Sequence, residues 1–507
     1  MAIDSKRIAK NTVFLYARLL LIYGISLYSS RVILDKLGVT DYGLQGVVYS
    51  VIGMLSFLNA TLSSGTSRFI TFDLGKGDKD ILKKTFSTAL FTHILLAGII
   101  LIIGETVGLW YVHHVLVCPP ERFSAVLVIY QISIVQTMVG IIQVPFTAEV
   151  MAHERMDIYA YIGIYEALFR LLLIYVLIIT PFDRLITISV LVFILMVTVF
   201  LYYVLFTKKR FEEVNFSRHF DKSKFKSILT FSGWNIVANM SNTLMKQGVI
   251  MLFNLFFAPV VVAAQNISNQ ISQAMMQFVN GVRQAINPQV IKSYADGRYE
   301  DSKRLTLESA EYVFDLLLLM GLPMIFAMPK FMSIWLVEVP EYAVVFTQLI
   351  VIQDILGNFS AAFYTPMVAA NKIQKNTYAS VILCVCQFGL MYLLFKIGCG
   401  PVWARWLGIF FVMIWSFVVK PYILWKEIDY KWGEMYLCIV RCLCTFAITG
   451  GLCYAISLLI PQDTIMQMIL LAVGCAVIVA FISLLFMKKT SRKKLLDYFL
   501  LKIRVRH

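Results

Sequence analysis

Residues 260–284 read VVVAAQNISNQISQAMMQFVNGVRQ, a stretch that is apolar enough to cross a membrane yet contains carboxamides at regular intervals. The carboxamides recur at steps of three and four residues, at Asn266, Asn269, Gln273, Gln277, Asn280 and Gln284. This spacing places all of them on one side of an α-helix. A carboxamide facing lipid would leave its donors and acceptors unpaired, at a cost of roughly a few kcal/mol. The polar face is therefore predicted to line water, another polar helix face or a solute with many hydroxyl groups.

The preceding apolar stretch carries a second polar face with the same helical spacing. Its members are Ser232, Asn235, Asn239, Asn242 and Lys246. A lysine at the end of a row of amides adds a cation to a face that already offers donors and acceptors. The two neighbouring stretches together predict a polar surface for a solute inside the membrane.

The composition excludes a soluble protein. Of the 507 residues, 59% are hydrophobic and only 15% are charged, and the mean hydropathy is +0.76. Windows of about 20 apolar residues predict about fourteen transmembrane helices. They lie at 12–34, 43–63, 86–104, 123–145, 159–179, 185–206, 228–257, 260–284, 312–329, 343–368, 378–397, 402–423, 437–460 and 465–487. The predicted fold class is an all-α polytopic membrane protein.

The distribution of basic residues predicts the topology. With the N-terminus inside, most of the 45 Lys and Arg residues fall in the inner segments and few in the outer loops, as the positive-inside rule requires. Both termini are then cytoplasmic, and the net charge of +15 reflects orientation rather than nucleic-acid binding. The nine cysteines lie mostly in apolar spans, where they act as small apolar residues, so we predict no metal site among them.

Weak internal echoes predict two similar halves. Pro145 is followed by Ala152-His153-Glu154-Arg155 after the fourth span, and Pro366 by Ala370-Asn371-Lys372 at the equivalent place later. We therefore predict an N-lobe of six helices at 1–206, a cytoplasmic linker at 207–226 and a six-helix C-lobe at 227–423. Two additional helices at 424–487 and a basic cytoplasmic tail at 488–507 would follow. In transporters with internal repeats the substrate site lies between the repeats, near the midplane.

The opening of the chain resembles a known transporter family. Asn11-Thr12 begins the first helix, and Leu37-Gly38-Val39-Thr40-Asp41-Tyr42-Gly43 forms the following turn. With fourteen spans and two six-helix lobes, this resembles the polysaccharide branch of the multidrug/oligosaccharidyl-lipid/polysaccharide exporter superfamily. The resemblance implies inward-open and outward-open states and a cargo of undecaprenyl-pyrophosphate-linked oligosaccharide, the repeat unit of O-antigen (in lipopolysaccharide) or capsule. It implies a bacterial cytoplasmic (inner) membrane location and, as partners, the polysaccharide polymerase and chain-length machinery.

Charged residues inside spans are candidate functional residues because a charge in the bilayer is costly. The candidate substrate-binding residues are the cations Arg18, Arg31, Arg170 and Lys246 with the amides Asn235, Asn239, Asn242, Asn269, Gln273, Gln277 and Asn280. Asp354 and Glu166 are the candidates for binding a coupling H⁺ or Na⁺, and no other cofactor and no metal is expected. Alternatives stay open: Arg31 near a helix end could snorkel, Glu166 and Arg170 could form a structural pair, and Lys420 is expected to snorkel.

The sign of the charges favours one function. Cations bind an anionic diphosphate through charge-assisted hydrogen bonds, and the first, second, seventh and eighth spans contain no Asp or Glu. We therefore predict a non-enzymatic flippase that moves a lipid-linked oligosaccharide by alternating access. The alternatives are an ion-coupled multidrug or small-molecule antiporter and a membrane-embedded polysaccharide polymerase or ligase. The predicted outer loop 105–122, with Glu105, His113 and His114, is weak support for an enzyme.

Overall fold

A computed structural model describes residues 5–214, 225 and 239–487. These residues form α-helices joined by short π-helical and 3₁₀ turns, and the described part of the chain contains no β-strand. The all-α fold class is confirmed. Contacts divide the chain into two units, the first comprising Met1–Ala263 with Leu336–Pro340, the second Ala264–Trp335 with Glu341–His507. The two six-helix lobes at 1–206 and 227–423, which were predicted from the repeated motifs in the sequence, remain a prediction.

The described part of the first unit contains six long helices and two short ones. They are α1 Ser5–Gly53, α2 Ser56–Lys76, α3 Lys79–Ile103, α4 Leu109–His114, α5 Phe123–Ala152, α6 Met156–Ile179, α7 Arg184–Arg210 and α8 Val249–Phe256. Gly38 interrupts α1 with φ 78°, a conformation that glycine adopts without steric cost. The turn 37–43 that carries the family resemblance therefore lies where the first long helix bends.

Polar caps set the starts of two helices in this unit. The Asp78 side chain accepts hydrogen bonds from the backbone N–H groups of Asp80 and Ile81 at the start of α3. Asp183 does the same for Leu185 and Ile186 at the start of α7. Each aspartate satisfies N–H groups that a helix leaves without partners at its N-terminus.

The second unit contains the remaining helices. They are α9 Pro259–Ala295 (from Ala264 onward), α10 Tyr299–Trp335, α11 Ala343–Ala362, α12 Tyr364–Ala369, α13 Gln374–Lys396, α14 Val402–Ile414, α15 Lys420–Ile428, α16 Trp432–Leu459 and α17 Ile465–Phe486. Its core is one large cluster in which Phe314, Leu317 and Phe359 are fully buried together with Leu471 and Val479 of α17. The last two helices thus contribute to the core of this unit.

Ten helices of the described residues are long and apolar enough to cross a membrane. They cover the predicted spans from 86–104 to 185–206 and from 312–329 to 465–487. The predicted span 43–63 differs from the structure, because 43–53 end α1 and 56–63 begin α2. The helix α9 is not one of these ten helices although it is 37 residues long. Its many amide side chains lower its mean hydropathy. Residues 228–238 of the seventh predicted span lie outside the described residues.

Candidate functional site

The helix α9 has two chemically different sides. Ile271, Met275 and Val279 are buried in the second unit at 2% exposure or less. The amides lie around the other side, with Gln273, Gln277 and Gln284 exposed and Asn266, Asn269 and Asn280 partly buried. The side-chain oxygen of Asn269 accepts a hydrogen bond of 2.6 Å from the Gln265 side chain one turn earlier. Three glutamines on one side of α9 therefore have exposed side chains.

The side of α9 that packs into the unit bears small hydroxyl residues that bind α11. The Ser272 hydroxyl donates to the Asp354 carboxylate at 2.5 Å. One turn earlier, the Thr347 hydroxyl donates to the Ser268 hydroxyl at 3.0 Å. Small hydroxyl residues allow helices to approach closely while satisfying polar groups between them. Asp354 is thus linked directly to the helix that carries the exposed amides.

Two arginines flank Asp354 within the same unit. The Arg283 guanidinium of α9 donates to the side-chain carbonyl oxygen of Asn358 at 2.9 Å. The side-chain NH₂ of Asn358 donates in turn to the Ala310 backbone carbonyl at 2.9 Å. Arg405 of α14 is 8% exposed, with its guanidinium 5.4 Å from the Phe346 ring centroid. Both arginines interact electrostatically with Asp354. The cluster has one carboxylate for two guanidiniums and is therefore cationic.

Sequence reasoning identified Asp354 but missed the residues around it. Arg283 lies in the predicted span 260–284 and Arg405 in 402–423, so the rule that flagged Asp354 could have flagged both. Ser272 carries no comparable signal, because serine in an apolar helix usually bonds its own backbone. Asn358 is fully buried and was also overlooked.

Lys420 corrects a prediction. A lysine at an inner helix end was expected to extend its ammonium to the interface. Instead, Lys420 is 2% exposed, and its Nζ lies 4.8 Å from the ring centroid of Tyr364 and 4.9 Å from that of Trp415. The two aromatic faces stabilise the ammonium through cation–π contacts and retain it inside the unit.

The predicted cations and amides of the first unit that the structure describes differ in exposure. Lys246, in the π-helical turn Leu244–Gly248, is exposed, as are Asn242 and Arg170. Arg31 and Asn239 are partly buried, and both make interactions within the structure. Partly buried Glu166 interacts electrostatically with Arg170 one helical turn away. Asn235 and the side chain of Arg18 lie outside the described residues.

The predicted outer loop 105–122 is largely helical. A π-helical turn at Gly104–Gly108 continues α3 into α4, which ends at His114. His113 packs edge-on against Phe123, whereas His114 stacks on Trp110, and Glu105 accepts a hydrogen bond from Gln131. Each of the three side chains thus has a separate neighbour, and they do not form the acid/base set that the sequence suggested.

Arg122 joins the 37–43 turn to two helix starts. It donates to Asp41 at 2.9 and 2.7 Å and to Asp183 at 2.5 and 3.1 Å. The hydrogen bond from Arg122 lowers the pKa of Asp183, whereas burial raises the pKa of Asp41 despite the same arginine. One guanidinium shared by two carboxylates fixes the starts of α5 and α7 beside the bend in α1.

Three solved transporters share this architecture. An inward-facing multidrug resistance MATE family transporter of the MOP superfamily has a TM-score of 0.66 at 13% identity, over 80% of this chain and 94% of that one. The lipid II flippase MurJ in an inward closed conformation has a TM-score of 0.69 at 10% identity, over 92% of this chain and 98% of its own. A MOP superfamily transporter from Pyrococcus furiosus, described by the reverse polarity of its binding pocket, has a TM-score of 0.60 at 12% identity, over 81% and 94%.

Sequence comparisons add nothing to these structural matches. No family model matches the chain, and no curated protein matches it. Identities of 10–13% show the fold alone. The fold expected from the superfamily resemblance is confirmed, whereas these matches do not separate the polysaccharide branch from the others. The chain has the fold of the MOP superfamily transporters.

Proposed function

We propose that this protein is a flippase that moves an undecaprenyl-pyrophosphate-linked oligosaccharide from the inner to the outer leaflet of a bacterial cytoplasmic membrane by alternating access. The observation that carries the proposal is the exposed amide face of α9, formed by Gln273, Gln277 and Gln284. Carboxamides offer both donors and acceptors, which suits the hydroxyl groups of a glycan. The chain also shares its fold with a protein named as a lipid II flippase.

The charge of the cargo is matched by cations. Lys246 is exposed, and α9 contains no Asp or Glu over its whole length. An ammonium or guanidinium binds a diphosphate through short, charge-assisted hydrogen bonds. We assign diphosphate binding to Lys246 with Arg18, Arg31 and Arg170, and glycan binding to the amides, including Asn235, Asn239 and Asn242.

Ion coupling is assigned to Asp354, with Glu166 as the second candidate. Asp354 accepts its hydrogen bond from Ser272, on the part of α9 that packs against α11. Protonation or Na⁺ binding at this carboxylate would change the charge of the Arg283–Asp354–Arg405 cluster. Because Ser272 and the amides belong to one helix, such a change would act directly on the proposed glycan surface.

The second candidate function is an ion-coupled multidrug or small-molecule antiporter. It is favoured by the match to a multidrug resistance transporter and by the partly buried carboxylate of Asp354. An antiporter for organic cations would need acidic groups on the exposed polar surface. The exposed members of the α9 face are neutral amides, and we therefore rank the flippase first.

Reconstitution distinguishes the two functions. The purified protein would be placed in sealed liposomes with a fluorescent lipid-diphosphate oligosaccharide in one leaflet, and parallel vesicles would contain a cationic dye. A flippase exposes the glycan to an impermeant modifying reagent, and Lys246→Ala slows this exposure while the exposed-lysine control Lys396→Ala does not. Dye export driven by H⁺ or Na⁺ without glycan exposure would establish the antiporter instead.

The cellular setting follows from this proposal. A flippase for polysaccharide repeat units would supply the polymerase and chain-length machinery on the outer face of the membrane, for O-antigen or capsule. The basic segments then lie on the cytoplasmic side together with both termini.

A further inference from the structure

Three potential metal ligands converge at one end of α5 in the first unit. Glu149 and His153 are four residues apart, and Glu213 lies in the 3₁₀ turn Glu212–Val214 that follows α7. His153 Nε2 lies 2.6 Å from a Glu213 carboxylate oxygen and 3.8 Å from a Glu149 carboxylate oxygen. The ligand atoms of all three residues lie within 4.8 Å of one another. Residues distant in the sequence thus present one nitrogen and two carboxylates to a common point.

Glu149 provides a second, independent observation that points to a cation at this place. Its side chain is 0% exposed, and neither of its carboxylate oxygens has a hydrogen-bond partner among the described residues. Burying a carboxylate without hydrogen bonds or a counter-charge costs roughly several kcal/mol. Glu213 is also buried, at 8% exposure. A bound cation would supply the partner that the Glu149 carboxylate lacks among the described residues and would also contact Glu213.

We propose that Glu149, His153 and Glu213 bind one divalent transition-metal ion, with Zn²⁺ as the best-fitting representative. One imidazole nitrogen and two carboxylate oxygens without a thiolate are typical of Zn²⁺ and neighbouring first-row ions. In a tetrahedral site with bonds of about 2.0–2.2 Å, ligand atoms are about 3.3 Å apart. The separations of 2.6 and 3.8 Å bracket this value, so small side-chain rotations suffice to admit the ion. His153 is partly exposed, which leaves a path for entry and for a water ligand.

The surroundings hold the ligands in place. The His153 ring stacks on Phe211 with centroids 4.0 Å apart and planes at 5°. Phe211 is anchored by its backbone N–H, which donates to the Thr207 carbonyl at 2.8 Å. Neighbouring Glu212 points away and pairs with Lys79 at 2.7 Å. In metal sites, contacts from neighbouring residues fix the orientation of the side chains that bind the ion.

The position of the site defines what the ion would do. It would join the end of α5 to the segment that leaves α7 and enters the predicted cytoplasmic linker 207–226. The ion would therefore hold the segment that follows α7 against the end of α5 within the first unit. This role does not depend on the identity of the transported cargo.

Metal binding by the full-length protein tests the proposal. The chain would carry a tag without histidine, be treated with a chelator and be titrated with Zn²⁺ in detergent, with uptake measured by elemental analysis and affinity by calorimetry. We expect one Zn²⁺ per chain, and a loss of affinity of more than ten-fold for Glu149→Gln and for His153→Ala. The control His114→Ala, which removes an exposed histidine, should bind as the wild type does.

A zinc X-ray absorption spectrum identifies the ligands directly, which matters because the chain contains nine cysteines. Only nitrogen and oxygen neighbours at about 2.0–2.2 Å are expected. Sulfur neighbours at about 2.3 Å would place the ion at cysteines and overturn the proposal. So would the absence of zinc uptake, or wild-type affinity in both Glu149→Gln and Glu213→Gln. The two glutamate variants lie on different elements, and gel filtration of each separates lost binding from lost folding.

Discussion

Buried and partly buried ions in this chain have partners that differ in chemistry. Asp354 is bound by a hydroxyl and flanked by two arginines, Lys420 is held by aromatic rings, and Arg122 is shared by two carboxylates. Sequence reasoning identified Asp354 because a charge in an apolar helix is conspicuous. It could not identify the partners, since Ser272 and Arg405 come from helices far apart in the chain. Partner identity decides whether an ion is structural, and only the packed structure supplies it.

Arg122 supports a prediction about pH at the residue scale. Because the Arg122 hydrogen bond lowers the pKa of Asp183, ionised Asp183 stabilises the fold above the unfolded-state pKa of that carboxyl. The contribution is lost as the pH falls through the lowered folded-state pKa. Arg122→Gln should therefore cost about 1–3 kcal/mol at neutral pH, and less in acid.

Thermal unfolding of detergent-solubilised wild type and Arg122→Gln at several pH values measures this difference. Lys396→Ala serves as a control because that lysine is exposed. A difference that stays constant as the pH falls from neutral to below about pH 3 would contradict the role given to the ionised Asp183.

At the scale of single elements, helix boundaries and apolar faces were predictable, whereas local irregularities were not. The long apolar helices follow from composition alone, and the amide spacing correctly predicted that α9 has a polar side. The π-helical turn Gly104–Gly108 was not predictable from the sequence, and the contact found there, the Tyr130 hydroxyl donating to the Gly104 backbone carbonyl at 2.6 Å, joins residues 26 apart. The predicted outer loop 105–122 was wrong over its first part, because the structure is helical from Gly104 to His114.

Gly108 provides a test of that irregular element. A Cβ at Gly108 would lie 2.1 Å from the Tyr130 hydroxyl oxygen, whereas a Cβ at Gly98 meets nothing within 4 Å. Gly108→Ala should thus destabilise the first unit by about 1–3 kcal/mol through overpacking. Gly98→Ala should be neutral or stabilise the helix by up to about 1 kcal/mol. Equal melting temperatures for the two variants would contradict the close contact.

The two sides of α9 should differ in reactivity. In a background without cysteines, Cys at Gln273 or Gln277 should react with a charged, membrane-impermeant thiol reagent, because both positions are exposed. Cys at Met275, which is 2% exposed, should remain protected. Labelling followed by mass spectrometry measures the extent at each site. Protection at both glutamine positions would show that the amide face is not wet, and equal labelling at all three positions would contradict the difference between the two sides of α9.

At the scale of the whole molecule, the sequence predicted the fold class and the superfamily fold better than it predicted the site. Hydropathy and the opening turn sufficed to predict the fold, and the structural matches to MATE and MurJ transporters agree with that fold. The predicted binding residues fall in both units, with Lys246 in the first and the α9 amides in the second. Spacing along one helix cannot show which helices share a substrate, so the sequence alone could not assemble them.

The central claim is that the exposed amides of α9 bind the glycan of a translocated lipid. The most direct measurement is the initial rate of flipping in proteoliposomes for a lipid diphosphate that carries an oligosaccharide, in wild type, in Gln273→Ala/Gln277→Ala and in the exposed control Gln374→Ala. We predict that the double variant loses at least ten-fold in rate at limiting substrate, while the control and the amount of reconstituted protein are unchanged. A double variant that flips this lipid as fast as the wild type would contradict the claim.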